Sequence, residues 1–320
     1  MTLKKLVLIS RWDDPHNSSI LGIARRRNIH VRHLRLGLAS SDYVIDSHGF
    51  GLQVHCDGIT FDLQSSDTPD VLFLPLVVKR RNIVEDVSSS FSAREWNAVF
   101  DSMFMQSWAR WPNRWLIKPG ADVMQNQKLF LMHRAVGIAT TLAIPDTNIG
   151  TKIDSMHLDR RTVAKAINSW QEISSGRYFN TTELSEQQMA ELSDKGLQTP
   201  GMVQEFIEHR VEFRVYVVRG VCIAVRIEPE IPPIDFRLLK PADSTSVHIV
   251  DRLPSGVDSD LVAICAALRL DFCCFDVSVE NESGHPYLTD INPTGSWHYL
   301  NRDFGVDVTE LILDNMENND

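Results

Sequence analysis

Three shortages in this chain each remove a class of function. Its five cysteines show neither CxxC spacing nor a disulfide framework, and Cys273 sits beside Cys274 in an apolar run. A reducing compartment follows, without a cysteine-held metal. No apolar run approaches the ~20 residues that span a bilayer. The opening Leu6-Val7-Leu8-Ile9 segment is ended by Arg11-Trp12-Asp13-Asp14, too soon for a signal peptide. The expectation is a cytoplasmic protein that meets no membrane. Positive charge is the third shortage: 32 Lys and Arg face 42 Asp and Glu, a formal net charge of -10. That sign is wrong for general nucleic-acid binding. The clusters Arg25-Arg26-Arg27 and Lys79-Arg80-Arg81 read as solvated faces.

With 320 residues, 43% of them hydrophobic, the chain can bury more than one core, so two or three subdomains with a ligand site between them are expected. The first elements read as α/β: a strand at 6–9, a helix at 18–27 and a strand at 31–36. The intervening Asp13-Asp14-Pro15-His16-Asn17-Ser18-Ser19 lacks the GxGxxG dinucleotide fingerprint and reads as a helix-capping loop. Strand candidates at 51–56 and 58–63 flank Asp57 as a hairpin, and 71–78 is a further apolar strand. A helical region at 92–108 leads to a boundary at Trp111-Pro112-Asn113. Trp96, Trp108, Trp111 and Trp115 are expected to pack a subdomain junction rather than to stack bases.

The most informative stretch lies near the C-terminus. Phe272-Cys273-Cys274-Phe275-Asp276-Val277-Ser278-Val279-Glu280 and Tyr287-Leu288-Thr289-Asp290-Ile291-Asn292 are joined by a polar turn containing Asn, Ser and Gly. They read as a hairpin in which alternation puts Asp276, Asp290 and Asn292 on one face. Three hard oxygen ligands of this kind suit Mg²⁺, which shares its remaining positions with water and substrate phosphates.

Asp290-Ile291-Asn292-Pro293 resembles the last metal-binding strand of the ATP-grasp superfamily of carboxylate ligases. Many members carry Glu where Asp290 stands, which leaves the number of bridged metal ions open. The order of further motifs is similar to ligases that macrocyclise ribosomal peptides, the microviridin or graspetide class, and more distantly to ribosomal-protein glutamate ligases. The implied fold is an N-terminal α/β domain (1–115) before an ATP-grasp unit, with a central subdomain (116–200) bearing the phosphate lid and a C-terminal subdomain (201–320) bearing the adenine hinge and metal site. Nucleotide would lie between the two α+β subdomains.

The same resemblance places the other site residues. Lys128, on a helix predicted over 126–139, and Lys165, in the strand-like Thr162-Val163-Ala164-Lys165 run, would bind phosphates. Ser174-Ser175-Gly176 would form the lid. Gln204, Glu205, Phe206, Ile207 and Glu208 would hold adenine, with Glu208 and Glu212 as alternative ribose acceptors. Alternation along 211–218 and the returning 221–227 strand lets Arg214 and Arg226 project toward a common site, and Ile234-Asp235-Phe236-Arg237 resembles the family's Asp-aromatic-Arg segment. Guanidinium groups there would bind carboxylate and phosphate and stabilise transition-state charge. His209, His248 and His298 take no role.

The resemblance implies ATP and Mg²⁺ as cofactors and a precursor peptide as partner, with ligation through an acyl phosphate to give side-chain esters or amides. Two alternatives stand beside it: an amino-acid or glutamate ligase, and a nucleotide-binding regulator without turnover. The chain leaves open the choice between ester and amide, ring connectivity, and monomer against homodimer.

Overall fold

The computed structural model describes residues 4–48, 51–63, 65–66, 69–74, 84, 90–125, 127–151, 161–165, 172–174, 177–178, 181–196, 201–208, 210–230, 234 and 245–316. The first part runs β1 (Lys5–Arg11), α1 (Asn17–Arg26), β2 (His30–Leu36), β3 (Tyr43–His48), β4 (Gly51–Cys56), β5 (Ile59–Phe61), β6 (Asp70–Phe73) and α2 (Ser90–Arg110). β1 is paired in parallel on both sides, by β2 and β6. Its apolar run from Leu6 to Ile9 is buried throughout, as a central parallel strand requires. β3, β4 and β5 form an antiparallel meander. Its second turn is Asp57-Gly58, both with positive φ (54° and 72°), the geometry that matches strand twist in a two-residue hairpin.

The tryptophan-rich segment packs as expected. Trp115 is 1% exposed among Phe73, Phe100 and Phe104, with Trp96 and Trp108 against the same cluster. Trp111 instead lies under the guanidiniums of Arg110 and Arg114, 5.5 and 4.8 Å from its ring. The apolar strand expected over 71–78 is strand through Phe73, and 75–80 lies outside the described residues.

The middle part runs α3 (Ala121–Gln125), α4 (Lys128–Val136), β7 (Thr147–Gly150), β8 (Thr162–Lys165), β9 (Glu172–Ser174), β10 (Arg177–Tyr178), β11 (Thr182–Leu184), α5 (Glu186–Lys195) and β12 (Gly201–Glu205). Antiparallel pairing gives a four-stranded sheet in the order β11-β8-β12-β7. α5 starts where Ser185 and Gln188 exchange side-chain to backbone bonds, a capping box written in the sequence as Ser-x-x-Gln.

The last part runs β13 (Arg210–Val218), β14 (Val221–Pro229), β15 (Thr245–Val250), α6 (Val257–Leu268), β16 (Phe272–Glu280), β17 (Pro286–Asn292), α7 (His298–Phe304) and α8 (Thr309–Asp314). The sheet order is β15-β14-β13-β16-β17, antiparallel throughout. Both faces are covered. Tyr216, Val218, Val225, Phe272 and Cys274 share one core with Leu6, Leu8 and Ile20 of the first part and with Trp297 and Ile312. Val215, Val217, Phe275 and Ile291 pack against Leu131 of α4 and Leu261 of α6. Among the described residues, no helix is long and apolar enough to cross a membrane.

The helix-capping role expected for residues 13–19 is not what the structure shows. His16 is the N-cap of α1 but makes no side-chain cap bond there. Its ring turns toward α7.

One polar joint holds α6 to the chain after α4. Asp260, 4% exposed, accepts the backbone N–H groups of Thr140 (3.0 Å), Thr141 (2.6 Å) and Leu142 (2.9 Å). Burial opposes its charge, but these donors outweigh burial and hold the carboxyl below its ordinary value. Asp260→Ala strands three donors and is expected to lower unfolding free energy by about 3 kcal/mol, read by urea titration at neutral pH. The stabilisation is present above the unfolded carboxylate pKa of about 3.9 and disappears as pH falls through the depressed native value. The two proteins should therefore converge in acid.

Candidate active site

Strand register builds the site. Arg214 of β13 lies opposite Asp276 of β16, and Asp276 lies opposite Asp290 of β17. Directly opposed residues project from the same face, so the three form one row across three strands. Asn292, two positions beyond Asp290, opposes Cys274 in the next row. Asp276, Asp290 and Asn292 are thus brought together as their alternation predicts.

The pairing shifts between Asp276 and Val277, since Asp276 opposes Asp290 while Val277 opposes Leu288. Thr289 is the extra residue of this bulge. Its hydroxyl donates to the Asp276 carbonyl at 3.1 Å, and its own carbonyl accepts Lys165 Nζ at 3.4 Å. A bulge re-aims the strand locally, and here it ties the five-stranded sheet to the four-stranded one.

The charges are mutually neutralised. Lys128 Nζ donates to both Asp290 oxygens, at 2.7 and 2.8 Å, and Arg214 Nη1 donates to Asp276 Oδ1 at 2.6 Å. Burial works against a charged Asp290, but the Lys128 ammonium outweighs it and holds the carboxyl below its ordinary value. Burial likewise works against a charged Arg214, while Asp276 raises its pKa further above the usual arginine range. Lys165 differs. Its Nζ donates to the amide oxygen of Gln204 at 2.6 Å, and burial lowers its pKa, with Lys128 adding to the depression and Asp290, Glu212 and Asp276 opposing it. A half-buried ammonium hydrogen-bonded to neutral oxygens is suited to receive an anion.

Close packing fixes the loop that follows Asn292. A Cβ added at Gly295 would collide with the Cβ of Cys274 and come within 3.3 Å of Arg214 Nη2, so only glycine lets this backbone lie on the row. The Ser296 carbonyl accepts Arg214 Nη2 at 3.4 Å and the Tyr216 hydroxyl at 3.1 Å.

Other expected residues lie apart. Arg226 opposes Phe213 and is one position out of phase with Arg214, so alternation sends it to the opposite face. There it pairs with Glu228 at 3.0 Å. The common site expected for the two arginines is not formed, because hairpin register rather than spacing within each strand decides the face. Gln204, 1% exposed, bridges Lys165 and the Thr147 hydroxyl, the latter at 3.0 Å. Residues 206–208 leave the four-stranded sheet and lead into β13. The backbone N–H groups of Glu205 and Phe206 donate to Asp146 and Arg161 carbonyls. The Phe206 ring lies 4.5 Å from the Arg161 guanidinium, Ile207 is buried, and Glu208 pairs with Arg161 at 3.2 Å. Glu212 is buried beside the row. Ser174 ends β9. Ser175, Gly176 and Arg237 lie outside the described residues.

Among the described residues, no three His, Cys, Asp or Glu side chains gather as a metal site. Two carboxylates and one amide are nevertheless a donor set for Mg²⁺, which takes the rest of its octahedron from water and phosphate oxygens. Asn292 Nδ2 donates to Asp290 at 3.1 Å, which leaves the amide oxygen as its metal-competent end.

No family model and no curated protein matches the chain. Solved structures do, over nearly their full length. The macrocyclase MdnC of Microcystis aeruginosa MRC, bound with precursor peptide MdnA, is 15% identical with a TM-score of 0.73, covering 97% of this chain and 98% of that one. A RiPP-associated ATP-grasp ligase of Chryseobacterium gregarium, in complex with ADP and a leader and core peptide, is 15% identical with a TM-score of 0.71, covering 98% and 95%. This chain has the ATP-grasp ligase fold. The ATP-grasp ligase PsnB, complexed with minimal precursor, Mg and ADP, is similar at 15% identity and a TM-score of 0.68, covering 97% and 96%.

Thr147, Tyr216 and the Ser296 carbonyl were not legible as site residues. Their roles come from pairing across strands and from a backbone atom, neither of which spacing reveals. Because Lys128 and Arg214 already neutralise the two carboxylates, Mg²⁺ alone is expected to bind with a Kd above about 1 mM. Lys128→Ala should strengthen bare Mg²⁺ binding by about tenfold, near 1.4 kcal/mol, in calorimetric titration.

Proposed function

We propose that the protein is an ATP-dependent carboxylate ligase that installs side-chain ester or amide bonds in a ribosomally made precursor peptide. The carrying observation is the row Arg214, Asp276, Asp290 with Asn292 beside it, faced by Lys128 and Lys165. In support, MdnC, the Chryseobacterium gregarium ligase and PsnB are described with precursor, leader or core peptides, and the last two with ADP. Of the divisions expected at 1–115, 116–200 and 201–320, the last is moved, because β12 (Gly201–Glu205) pairs with β7 and β8 inside the four-stranded sheet, and the passage to the five-stranded sheet falls at 206–208. Nucleotide would sit between the four-stranded and five-stranded sheets, joined through residues 206–208.

Bound Mg-ATP supplies the phosphoryl group that turns a substrate carboxylate into an acyl phosphate. Asp276, Asp290 and the Asn292 amide oxygen would hold the metal, while Lys128 and Lys165 would turn from their present partners to the phosphates. Arg214, held by Asp276 and the Ser296 carbonyl, would bind a carboxylate or balance charge developing on the transferring group. A hydroxyl or amine of the same peptide then attacks the activated carbonyl, and phosphate leaves. No nucleophilic side chain of the enzyme is needed, since positioning and charge stabilisation carry the reaction.

The test incubates the chain with ATP, Mg²⁺ and the peptide encoded beside it, followed by intact-mass analysis and fragmentation. Loss of one water per bond within a ring is expected. A residue-sized mass gain would move the reading to an amino-acid ligase, and nucleotide binding without product to a regulator. Asp290→Ala should lower ADP formation by roughly 10²-fold, about 3 kcal/mol, with its far-UV spectrum unchanged. Lys165→Ala should weaken ATP binding by about tenfold.

A further inference from the structure

The loop between β1 and α1 takes no part in the reading above, yet it reaches the active-site loop. His16 is 4% exposed. Its Nδ1 lies 2.8 Å from Asp14 Oδ1, which also accepts the His16 backbone N–H at 2.9 Å. A carboxylate only accepts, so the ring proton sits on Nδ1 and Nε2 is an acceptor. That nitrogen faces the backbone N–H groups of Trp297 at 3.2 Å and His298 at 3.3 Å, 281 and 282 positions along the chain. These are among the first amides of α7, whose own N-cap, Trp297, supplies no side-chain cap. The His16 ring also lies 4.4 Å from the Trp297 ring, which is 2% exposed.

Asp14, His16 and Ser296 are the residue types of a hydrolytic triad, with Ser296 Oγ 3.2 Å from Nε2. The geometry argues against that role. Two backbone donors already occupy Nε2, and the Ser296 hydroxyl is closer to His298 Nδ1, at 2.8 Å, where it donates. His298 is neutral there, its pKa lowered to about 4 chiefly by burial, with the Arg302 charge adding to the depression.

The connection continues inward, since the Ser296 carbonyl holds Arg214 Nη2 and the Tyr216 hydroxyl, and Arg214 holds Asp276. We propose that His16 is a positioning residue: held by Asp14, its imidazole clamps the 296–298 segment and so keeps Arg214 and Asp276 where a metal-bound nucleotide meets them. The proposal rests on the nucleotide-site reading above. It assigns the N-terminal loop a function in the centre formed by the C-terminal sheet.

The test compares His16→Gln with His16→Asn on the full chain, with no peptide required. A glutamine amide oxygen reaches the Nε2 position and accepts the two N–H groups, whereas an asparagine is too short. Two measurements are made: backbone amide exchange by mass spectrometry over 292–304, and calorimetric binding of AMPPNP with and without Mg²⁺. For His16→Asn we expect at least about tenfold faster exchange at 297–298 and about tenfold weaker Mg-AMPPNP binding, with metal-free binding changed by less than about threefold. His16→Gln should stay within about threefold of wild type in every reading.

Unchanged exchange in the Asn variant, equal losses in both variants, or a loss independent of Mg²⁺ would overturn the clamp. If the Asn variant does not fold, the Gln variant decides alone, because a tenfold loss there contradicts the proposal. Failure of wild type to bind AMPPNP would sink the nucleotide reading and with it the functional half of the proposal. The exchange comparison would then still show whether His16 holds the segment.

Discussion

The candidate site depends on the lateral alignment of three strands, β13, β16 and β17. Arg214, Asp276 and Asp290 meet only because their strands pair in one register. Side chains alternate with period two, so a slip of one residue would send a strand's charges into the apolar core and its core residues to the site. The apolar set on the opposite face, Val215, Val217, Phe275 and Ile291, prevents that slip. Removing one partner of a hydrogen-bonded ion pair strands the other charge, so core packing and the paired charges enforce the same alignment.

That alignment also sets the electrostatic state. Lys128, Lys165 and Arg214 stand against Asp276, Asp290 and Glu212 in a partly buried setting. Opposite charges compensate one another, as partial removal from water favours. The compensation is uneven, because Lys128 holds a carboxylate while Lys165 holds Gln204. Under the proposed function, an incoming triphosphate would meet its most accommodating cation at Lys165. Displacement of Lys128 from Asp290 would in turn release a carboxylate to the metal.

Much of this was legible in the sequence, and what was missed has a common cause. The terminal hairpin was readable because its two runs are apolar, alternate, and are joined by turn residues; the common face of Asp276, Asp290 and Asn292 followed, while their pairing did not. The same reasoning failed for Arg226, since alternation fixes faces within a strand while the Arg219-Gly220 turn fixes which positions oppose across it. The loop at 13–19 misled for a related reason. Asp, Asn and Ser before a helical pattern ordinarily cap that helix, but His16 caps a different helix that lies next to it only once the chain has folded. Lys128 was placed by family order, and only packing of α4 on the sheet shows it against Asp290.

The core containing Leu6, Leu8 and Ile20 also contains Trp297, Ile312 and Met316, and the His16 contact lies at the same seam. During synthesis, the first strand and helix emerge long before the segment that completes their packing. Until residues near 316 have left the ribosome, Leu6, Leu8 and Ile20 lack part of their apolar cover and α7 does not exist to receive His16. A stalled or truncated chain would therefore expose a sticky N-terminal layer and carry no assembled centre. Such fragments would be recognised by chaperones through that layer.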